Sequence, residues 1–267
     1  MNQAENIKNK KLFLFDMDGT LYIGDRLFDF TIPLLIAIRQ HGGRYIFVTN
    51  NSSKSVSDYT AKLAKLGISS TNEDFLTSSQ ATAYYLDQHH RGQKLYVCGT
   101  QSLKAELTSQ GFSITEALDE VECIVIGFDT ELTYQKLYDI SYLLLTRPNI
   151  PFIATNPDLV CPTEFGSIPD CGSMCQMIYN ATGKAPIVIG KPSPLMAQLA
   201  MDKFGCTKEE TCVIGDRIYT DIKSGLNAGI TSILVMSGET TEKILSTSTE
   251  KPHIVLQNAG ELIPYLI

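Results

Sequence analysis

The amino-acid sequence predicts an α/β protein built around a parallel β-sheet. Short apolar runs, beginning with Leu12–Phe15, are too short for isolated helices and have no polar face. Such runs are typical of strands that are buried on both sides of a sheet. Amphipathic helical segments separate the runs along the chain. This alternation of strand and helix indicates parallel strands joined by right-handed crossover connections.

The predicted elements follow one another in a regular order. After the first strand, a helix begins at Thr31 and ends before Gly42, a strand covers 44–48, and a helix at 56–66 is closed by Gly67. The other predicted strands are 95–98, 124–128, 151–155, 187–189, 211–215, 232–236 and 253–256, and the other predicted helices are 102–109, 133–145, 173–182 and 259–267.

Composition and charge exclude several classes of protein. The chain has 267 residues, 43% of them hydrophobic and 19% charged, as in ordinary globular proteins. The net charge of −7 argues against a nucleic-acid partner. No apolar run reaches the ~20 residues of a membrane span, and the polar stretch from Met1 to Lys10 lacks the apolar core of a signal peptide. We therefore expect neither a nucleic acid nor a membrane as partner.

The seven cysteines indicate a reducing, cytoplasmic location. They are scattered and odd in number, and Cys98, Cys123 and Cys212 fall within apolar strand-like runs, as expected for reduced and buried side chains. The alternative for three others is a zinc site formed by Cys161, Cys171 and Cys175. The absence of a C-x2-C pair and of a nearby His argues against this alternative.

Two carboxylates follow the first strand directly. Asp16 and Asp18 are separated by one residue, and Gly19 and Thr20 then end the strand. Ligands bind at the carboxyl ends of the strands in open α/β sheets. Two acids this close together repel each other unless a hard divalent cation lies between them. The alternative is an Asp-x-Asp-Gly turn, in which the same residues only suit the backbone.

Three further strand ends carry polar side chains. Thr49 and Asn50 follow one strand, Lys191 follows another, and Asp216 follows a third, with Asp221 opening the next helix. Carboxylates for Mg²⁺, a cation for the phosphate and neutral hydrogen-bond donors are what metal-assisted phosphoryl transfer requires. The alternatives are a solvated surface lysine at position 191 and a simple helix-terminal acid at position 221.

The chain contains four short motifs in a fixed order: Asp16-Met17-Asp18-Gly19-Thr20-Leu21-Tyr22, Thr49-Asn50-Asn51, Gly190-Lys191-Pro192, and Gly215-Asp216-Arg217 with Thr220-Asp221. They resemble the motifs of the haloacid dehalogenase superfamily, most closely its NagD-like, para-nitrophenylphosphate-phosphatase branch. The resemblance implies a Rossmann-like parallel-sheet core at 1–81 and 185–267, with a smaller inserted α/β cap domain at 82–184. It also implies a homodimer formed through the cap.

The resemblance implies a role for each motif residue. Asp16 would be the nucleophile that forms an aspartyl-phosphate, and Asp18 the general acid and base. The implied Mg²⁺ ligands are Asp16, Asp18 through its main chain, and Asp216, with Asp221 orienting the ion's waters or Lys191. The implied phosphate-binding residues are Thr49, Asn50, Asn51 and Lys191. The implied substrate contacts from a loop of the cap are Asn156, Asp158 and Cys161, for which plain turn chemistry is the alternative.

These roles predict a Mg²⁺-dependent phosphatase that acts on small phosphate monoesters. One alternative is a phosphotransferase or phosphomutase that uses the same phospho-aspartate, although such relatives generally carry a helical cap at another insertion point. A second is a receiver-like signalling module that only accepts phosphate on Asp16, although receivers are much shorter and an acid at position 18 favours rapid hydrolysis. Nucleoside monophosphates, pyridoxal phosphate, glycerol phosphate and sugar phosphates all stay open as substrates.

Overall fold

A computed structural model describes residues 7–163 and 165–267, so residues 1–6 of the polar N-terminal stretch lie outside the described residues. The described chain forms two compact units. The first contains residues 7–49, 60–76 and 191–267, and the second contains 50–59 and 77–190. The predicted core and cap ranges differ from these units at their ends: residues 50–59, for example, were predicted in the core but belong to the second unit. The assignment of the two units as core and cap stays a prediction.

A six-stranded sheet organises the first unit, in the order β15-β14-β13-β1-β4-β5. The pairings of β1 with β13 and β4, and of β14 with β13 and β15, are parallel. The strands are β1 Leu12–Phe15, β4 Arg44–Thr49, β5 Phe75–Thr77, β13 Thr211–Gly215, β14 Thr231–Val235 and β15 Ile254–Leu256. Every residue of β1, β13 and β14 is buried, as expected for strands that are covered on both faces of a sheet.

A five-stranded parallel sheet organises the second unit, in the order β12-β9-β8-β6-β7. Its strands are β6 Lys94–Cys98, β7 Ser113–Ile114, β8 Cys123–Ile126, β9 Phe152–Ala154 and β12 Ile187–Val188. The core of this unit combines the inner strands with the helices Tyr134–Thr146 and Cys171–Thr182. Two antiparallel hairpins complete the strands: β2 Tyr22–Ile23 with β3 Arg26–Leu27 in the first unit, and β10 Val160–Thr163 with β11 Gly166–Pro169 in the second.

Helices connect the strands of both sheets. The first unit contains Thr31–Gln40, Leu195–Phe204, Lys223–Ala228 and Glu242–Thr247, and the second contains Ser78–His89 and Gln101–Ser109 besides the two helices of its core. The helix Val56–Lys65 contributes residues to both units. No helix among the described residues is both long and apolar enough to cross a membrane.

Most predicted elements are confirmed, and the differences have identifiable causes. The predicted helix 259–267 is a 3₁₀-helix, Ala259–Tyr265, and its internal Pro264 cannot donate a backbone hydrogen bond. Asp221 does not open an α-helix but lies within a π-helical turn, Ile218–Ile222. The two hairpins and the helices Ser78–His89 and Leu195–Phe204 were not predicted. The predicted burial of Cys98, Cys123 and Cys212 is confirmed, since each is 0% exposed.

Candidate active site

Asp16 is placed by the central strand of the six-stranded sheet. Its predecessor Phe15 lies in register with Ile214 of β13 and Phe47 of β4, and the Asp16 amide donates to the Ile214 carbonyl at 2.9 Å. The side chain of Asp16 is 17% exposed, in contrast to the fully buried strand before it. The strand therefore ends by presenting a carboxylate at the carboxyl edge of the sheet, where α/β proteins bind ligands.

Lys191 is a buried cation held between two carboxylates. Its ammonium donates to Oδ1 of Asp16 at 2.7 Å, to Oδ1 of Asp221 at 2.6 Å and to the Val48 carbonyl at 3.2 Å. Burial acts to lower the pKa of Lys191, but the charges of Asp16 and Asp221 raise it above its usual value. The alternative of a solvated surface lysine is wrong, because the residue is only 3% exposed.

The position of Lys191 in the topology differs from the prediction. The apolar run before it was expected to be a strand of the same sheet as Asp16, but β12 pairs with β9 in the five-stranded sheet of the second unit. Lys191 itself belongs to the first unit, as do its three hydrogen-bond partners. It therefore reaches Asp16 from the segment between β12 and the helix Leu195–Phe204.

Asp216 and Asp221 bring two more carboxylates to this edge of the sheet. Asp216 follows β13 directly, and its Oδ2 accepts a hydrogen bond from the Glu239 amide at 2.6 Å. Its Oδ1 is buried and accepts no hydrogen bond from the described residues. Both oxygens of Asp221 are engaged, Oδ1 by Lys191 and Oδ2 by the Arg217 amide at 3.1 Å. Asp221 is thus tied to Lys191 as well as to the backbone of its own turn.

The three acids form a cluster that fits a cation. One carboxylate oxygen from each of Asp16, Asp216 and Asp221 lies within 4.8 Å of the others. Burial, together with the charges of Asp16 and Asp221, raises the pKa of Asp216 to about 8. Burial likewise raises the pKa of Asp221 to about 6, although Lys191 opposes the shift. A hard divalent ion bound by oxygen would relieve this repulsion and would give the buried Asp216 Oδ1 a partner.

The side chain of Asp18 is not part of this acidic cluster. It is exposed and follows β1 by way of Met17, and it forms an isolated parallel bridge with Tyr22. Although the residue as a whole is exposed, partial shielding of its carboxyl group from water raises its pKa, while the charge of Lys62 acts to lower it. The Lys62 ammonium stacks over the Tyr22 ring at 4.2 Å from the centroid. Asp18 is therefore an accessible carboxyl group that is held in its protonated form to higher pH than an ordinary aspartate.

The three candidate phosphate-binding residues after β4 belong to two different units. Thr49 is the buried last residue of β4 in the first unit, whereas Asn50 and Asn51 belong to the second unit. The Asn50 amide nitrogen donates to Oδ2 of Asp158 at 3.1 Å. Oδ1 of Asn51 accepts hydrogen bonds from the backbone and hydroxyl of Ser53. Their phosphate-binding role stays a prediction.

The three candidate substrate contacts of the predicted cap do not all lie on one loop. Asn156 and Asp158 lie in the loop after β9, as predicted, and both are buried. The Asn156 amide donates to Oδ1 of Asp170 at 3.2 Å, so this loop is a hydrogen-bonded network that also includes Asn50. Cys161 was expected on the same loop, but it lies in the hairpin strand β10, where it is partly buried.

Comparison with known proteins identifies the family. Residues 13–113 match the haloacid dehalogenase-like hydrolase family, and residues 188–262 match the related HAD-hydrolase-like family. The chain is 33% identical to the 5'-nucleotidase YutF of Bacillus subtilis, over 97% of this chain and 100% of that protein.

Solved structures are similar over nearly the same length. A 4-nitrophenylphosphatase from Thermotoga maritima superimposes with a TM-score of 0.93 and 37% identity, over 98% of this chain and 99% of that one. A glycerol phosphate phosphatase from Mycobacterium tuberculosis, solved in complex with magnesium, gives a TM-score of 0.88 and 28% identity, over 96% and 78% of the two chains. The chain is a haloacid dehalogenase-like hydrolase.

Within its family, this hydrolase belongs to the NagD-like, 4-nitrophenylphosphatase branch. It is a phosphatase, an enzyme that hydrolyses phosphate monoesters. The predicted Rossmann-like α/β fold is confirmed by the close superposition on phosphatases of this family.

Two features near the acids of the hydrolase were not assigned from the sequence. Arg217 lies in the fourth motif, where the resemblance assigns it no role, and its side chain pairs with Glu239 at 2.9 Å. The loop at 237–240, which supplies that glutamate and the amide bonded to Asp216, was not recognised at all. The available signal was its position, because it follows β14, the neighbour of β13 in the parallel sheet.

Replacing Lys191 by Met tests the buried ion pairs of the hydrolase. The substitution leaves Asp221, whose side chain is 0% exposed, without its counter-charge. Breaking a buried pair in this way costs about 3–5 kcal/mol in the free energy of unfolding, measured by urea denaturation. Lys11→Met is the matched control, since Lys11 pairs with Glu210 through a side chain that is 64% exposed. That control is expected to lose about 0–1 kcal/mol, and equal losses in the two variants would contradict the prediction.

Proposed function

We propose that this hydrolase is a Mg²⁺-dependent phosphatase that hydrolyses small phosphate monoesters through a phosphorylated Asp16. The observation that carries the proposal is the grouping of Asp16, Lys191 and Asp216 at one edge of the first unit's sheet. These three residues come from distant parts of the sequence, and they supply a nucleophile, a cation and a metal ligand.

The proposed Mg²⁺ ligands are the side chains of Asp16 and Asp216 and the main chain of Asp18. The buried and unbonded Oδ1 of Asp216 supports this set, and so does the magnesium complex of the similar glycerol phosphate phosphatase. The ion, when bound, reduces the repulsion between the Asp16 carboxylate and the negatively charged phosphate. Asp221 is proposed to hold Lys191 in place through the 2.6 Å hydrogen bond between them.

The reaction proceeds in two displacements. In the first, a carboxylate oxygen of Asp16 forms a bond to phosphorus while the bond from phosphorus to the ester oxygen breaks, and Asp18 gives its proton to the departing alkoxide. In the second, Asp18 takes a proton from a water whose oxygen attacks phosphorus, and the bond from Asp16 to phosphorus breaks. Inorganic phosphate leaves and both aspartates return to their starting states.

Four residues are proposed to bind the phosphate: Thr49, Asn50, Asn51 and Lys191. Their hydroxyl, amide and ammonium groups are donors suited to the equatorial phosphate oxygens, where charge is held in the transition state. The second unit is proposed to act as the cap, with Asn156, Asp158 and Cys161 contacting the substrate. The relatives described above are named for nucleotides, 4-nitrophenyl phosphate and glycerol phosphate, so small phosphate monoesters are the proposed class of substrate. The reducing, cytoplasmic location stays a prediction.

Asp16→Asn tests the assignment of the nucleophile. The amide keeps the shape of the side chain but is a poor nucleophile, so release of 4-nitrophenol from 4-nitrophenyl phosphate with Mg²⁺ is expected to fall by at least about 10³-fold. Asp25→Asn, which removes an exposed carboxylate of the same kind, is the control and should keep full activity. Wild-type enzyme in EDTA should be as inactive as Asp16→Asn until Mg²⁺ is returned. Substantial turnover by Asp16→Asn would rule out the covalent mechanism.

Asp18→Asn tests the general acid through the leaving group. An alkoxide leaving from glycerol phosphate needs a proton, whereas 4-nitrophenolate is stable enough to leave without one. The variant is therefore expected to lose about 10²–10⁴-fold in kcat/KM on glycerol phosphate. On 4-nitrophenyl phosphate, the rate of the first displacement is expected to fall much less. That rate is measured as the burst of nitrophenol in rapid-quench experiments. Equal losses of the burst rate on both esters would exclude Asp18 as the acid.

A homodimer is the proposed assembly, formed through the second unit. The helix Tyr134–Thr146 presents an apolar stripe of four residues that are 82%, 58%, 47% and 61% exposed: Tyr134, Tyr138, Tyr142 and Leu145. These residues fall on one face of the helix, and an exposed aromatic stripe of this kind is typical of protein interfaces.

Light scattering coupled to size-exclusion chromatography tests this assembly. Wild-type protein is expected to elute with twice the 29.5 kDa mass of the chain, and Tyr138→Glu, which places a charge in the middle of the stripe, is expected to elute as a monomer. The control is Gln88→Glu, which adds the same charge at an exposed position of another helix of the second unit, Ser78–His89, and should leave the assembly unchanged. A monomeric wild type would refute the proposal.

A further inference from the structure

The loop at 237–240, between β14 and the helix Glu242–Thr247, surrounds the carboxylate of Asp216. The Glu239 amide donates to Oδ2 of Asp216 at 2.6 Å, and the Thr240 amide donates to the Asp216 carbonyl at 3.3 Å. The loop therefore contacts both the side chain and the backbone of a proposed metal ligand, without itself providing a ligand.

This contact makes the two oxygens of Asp216 different from each other. Oδ2 is engaged by the loop, whereas Oδ1 is buried and accepts no hydrogen bond from the described residues. A carboxylate held by one oxygen cannot rotate freely, so the direction of the other oxygen is fixed as well. Groups that hold metal ligands in this way influence the affinity of the site.

Close approach of the loop requires a glycine at position 238. A β-carbon on Gly238 would overlap Oδ2 and the side-chain carbons of Asp216. The backbone of Gly238 does not have a positive φ, so the reason for glycine at this position is space and not conformation. Any side chain here would push the Asp216 carboxylate away from the Glu239 amide.

The loop is anchored on both sides of this contact. Oε2 of Glu239 pairs with Nε of Arg217 at 2.9 Å, and Oε1 accepts from the Tyr219 hydroxyl at 2.8 Å. The Ser237 hydroxyl donates to the Gly19 carbonyl at 2.7 Å. The anchors thus belong to the segment after Asp216 and to the segment after Asp18, the two acidic motifs of the first unit.

We propose that the 237–240 loop is a positioning element for the divalent cation: it holds Oδ2 of Asp216 so that Oδ1 faces the ion. Gly238 allows the approach, and Glu239 fixes the loop through Arg217 and Tyr219. The inference rests on the proposed metal site, and it assigns a part in that site to residues that do not touch the ion.

Cation binding by the metal-free protein tests the loop directly. Protein stripped with EDTA and dialysed is titrated with Mn²⁺, and the free ion is measured by electron paramagnetic resonance, with Mg²⁺ added as a competitor. Gly238→Ala is expected to weaken binding of both ions by at least about tenfold. Glu239→Ala, which keeps the backbone amide but loses both anchors, is expected to weaken binding severalfold. Glu242→Ala is the matched control, because it removes an exposed carboxylate from the same segment and should bind as the wild type does.

Thermal unfolding of the same proteins in EDTA separates positioning from a structural role. If the loop only stabilises the fold, the variants lose Tm in EDTA but bind Mn²⁺ with wild-type affinity, and the inference is overturned. Should Gly238→Ala fail to fold, Glu239→Ala decides the question by the same two measurements. A wild-type protein that binds neither ion would overturn the proposed metal site together with the loop's role, whereas normal wild-type binding with unchanged variants would overturn the loop's role alone.

Discussion

The buried ammonium of Lys191 is the interaction on which the rest of the first unit's site depends. Two carboxylates, from Asp16 and Asp221, accept hydrogen bonds from it at 2.7 and 2.6 Å, and the Val48 carbonyl takes a third. Removing an ammonium from water costs several kcal/mol, and this cost is recovered only when its hydrogen bonds and counter-charges are in place. Burial of Lys191 therefore depends on both acids, and the fully buried Asp221 depends in turn on Lys191 for its counter-charge.

One lysine does not balance all the charge at this edge of the sheet. Asp216 adds a third carboxylate within 4.8 Å of the other two, and its raised pKa reflects burial and the repulsion of Asp16 and Asp221. Arg217 contributes a second cation, but its side chain is paired with Glu239. A divalent ion is the natural complement to such a cluster, since it binds oxygen and carries enough charge for more than one carboxylate. Positive charge at such a site is also what a phosphate dianion requires, because the carboxylates alone would repel it.

Packing of glycine backbone against carboxylates gives this cluster its geometry. A β-carbon at Gly19 or Gly238 would overlap the Asp216 carboxylate, and one at Gly215 would overlap the side chain of Asp221. Asp216 and Asp221 are therefore packed closely against main chain, which leaves their side chains little freedom to move. This arrangement favours a fixed array of oxygens over flexible side chains, as ion binding and in-line displacement both require.

Much of this molecule was determined by its sequence alone. The short apolar runs with no polar face predicted the buried parallel strands, because a strand that is covered on both sides of a sheet has no face in contact with water. The acids directly after β1 and β13 were found for the same reason, since parallel strands bring their carboxyl ends to one edge. The family, the fold and the phosphatase class then followed from four motifs in order, and comparison with known proteins confirms them.

Tertiary structure alone decided what depends on contacts between distant segments. Lys191 was expected on a strand of the same sheet as Asp16, but strand pairing is set by which edges are available, and the short β12 pairs with β9. The 237–240 loop contains no residue that stands out, and its closeness to Asp216 arises only because β14 lies beside β13. Periodicity and composition record how each segment buries its own surface, whereas the partner that it is buried against is a property of the whole fold.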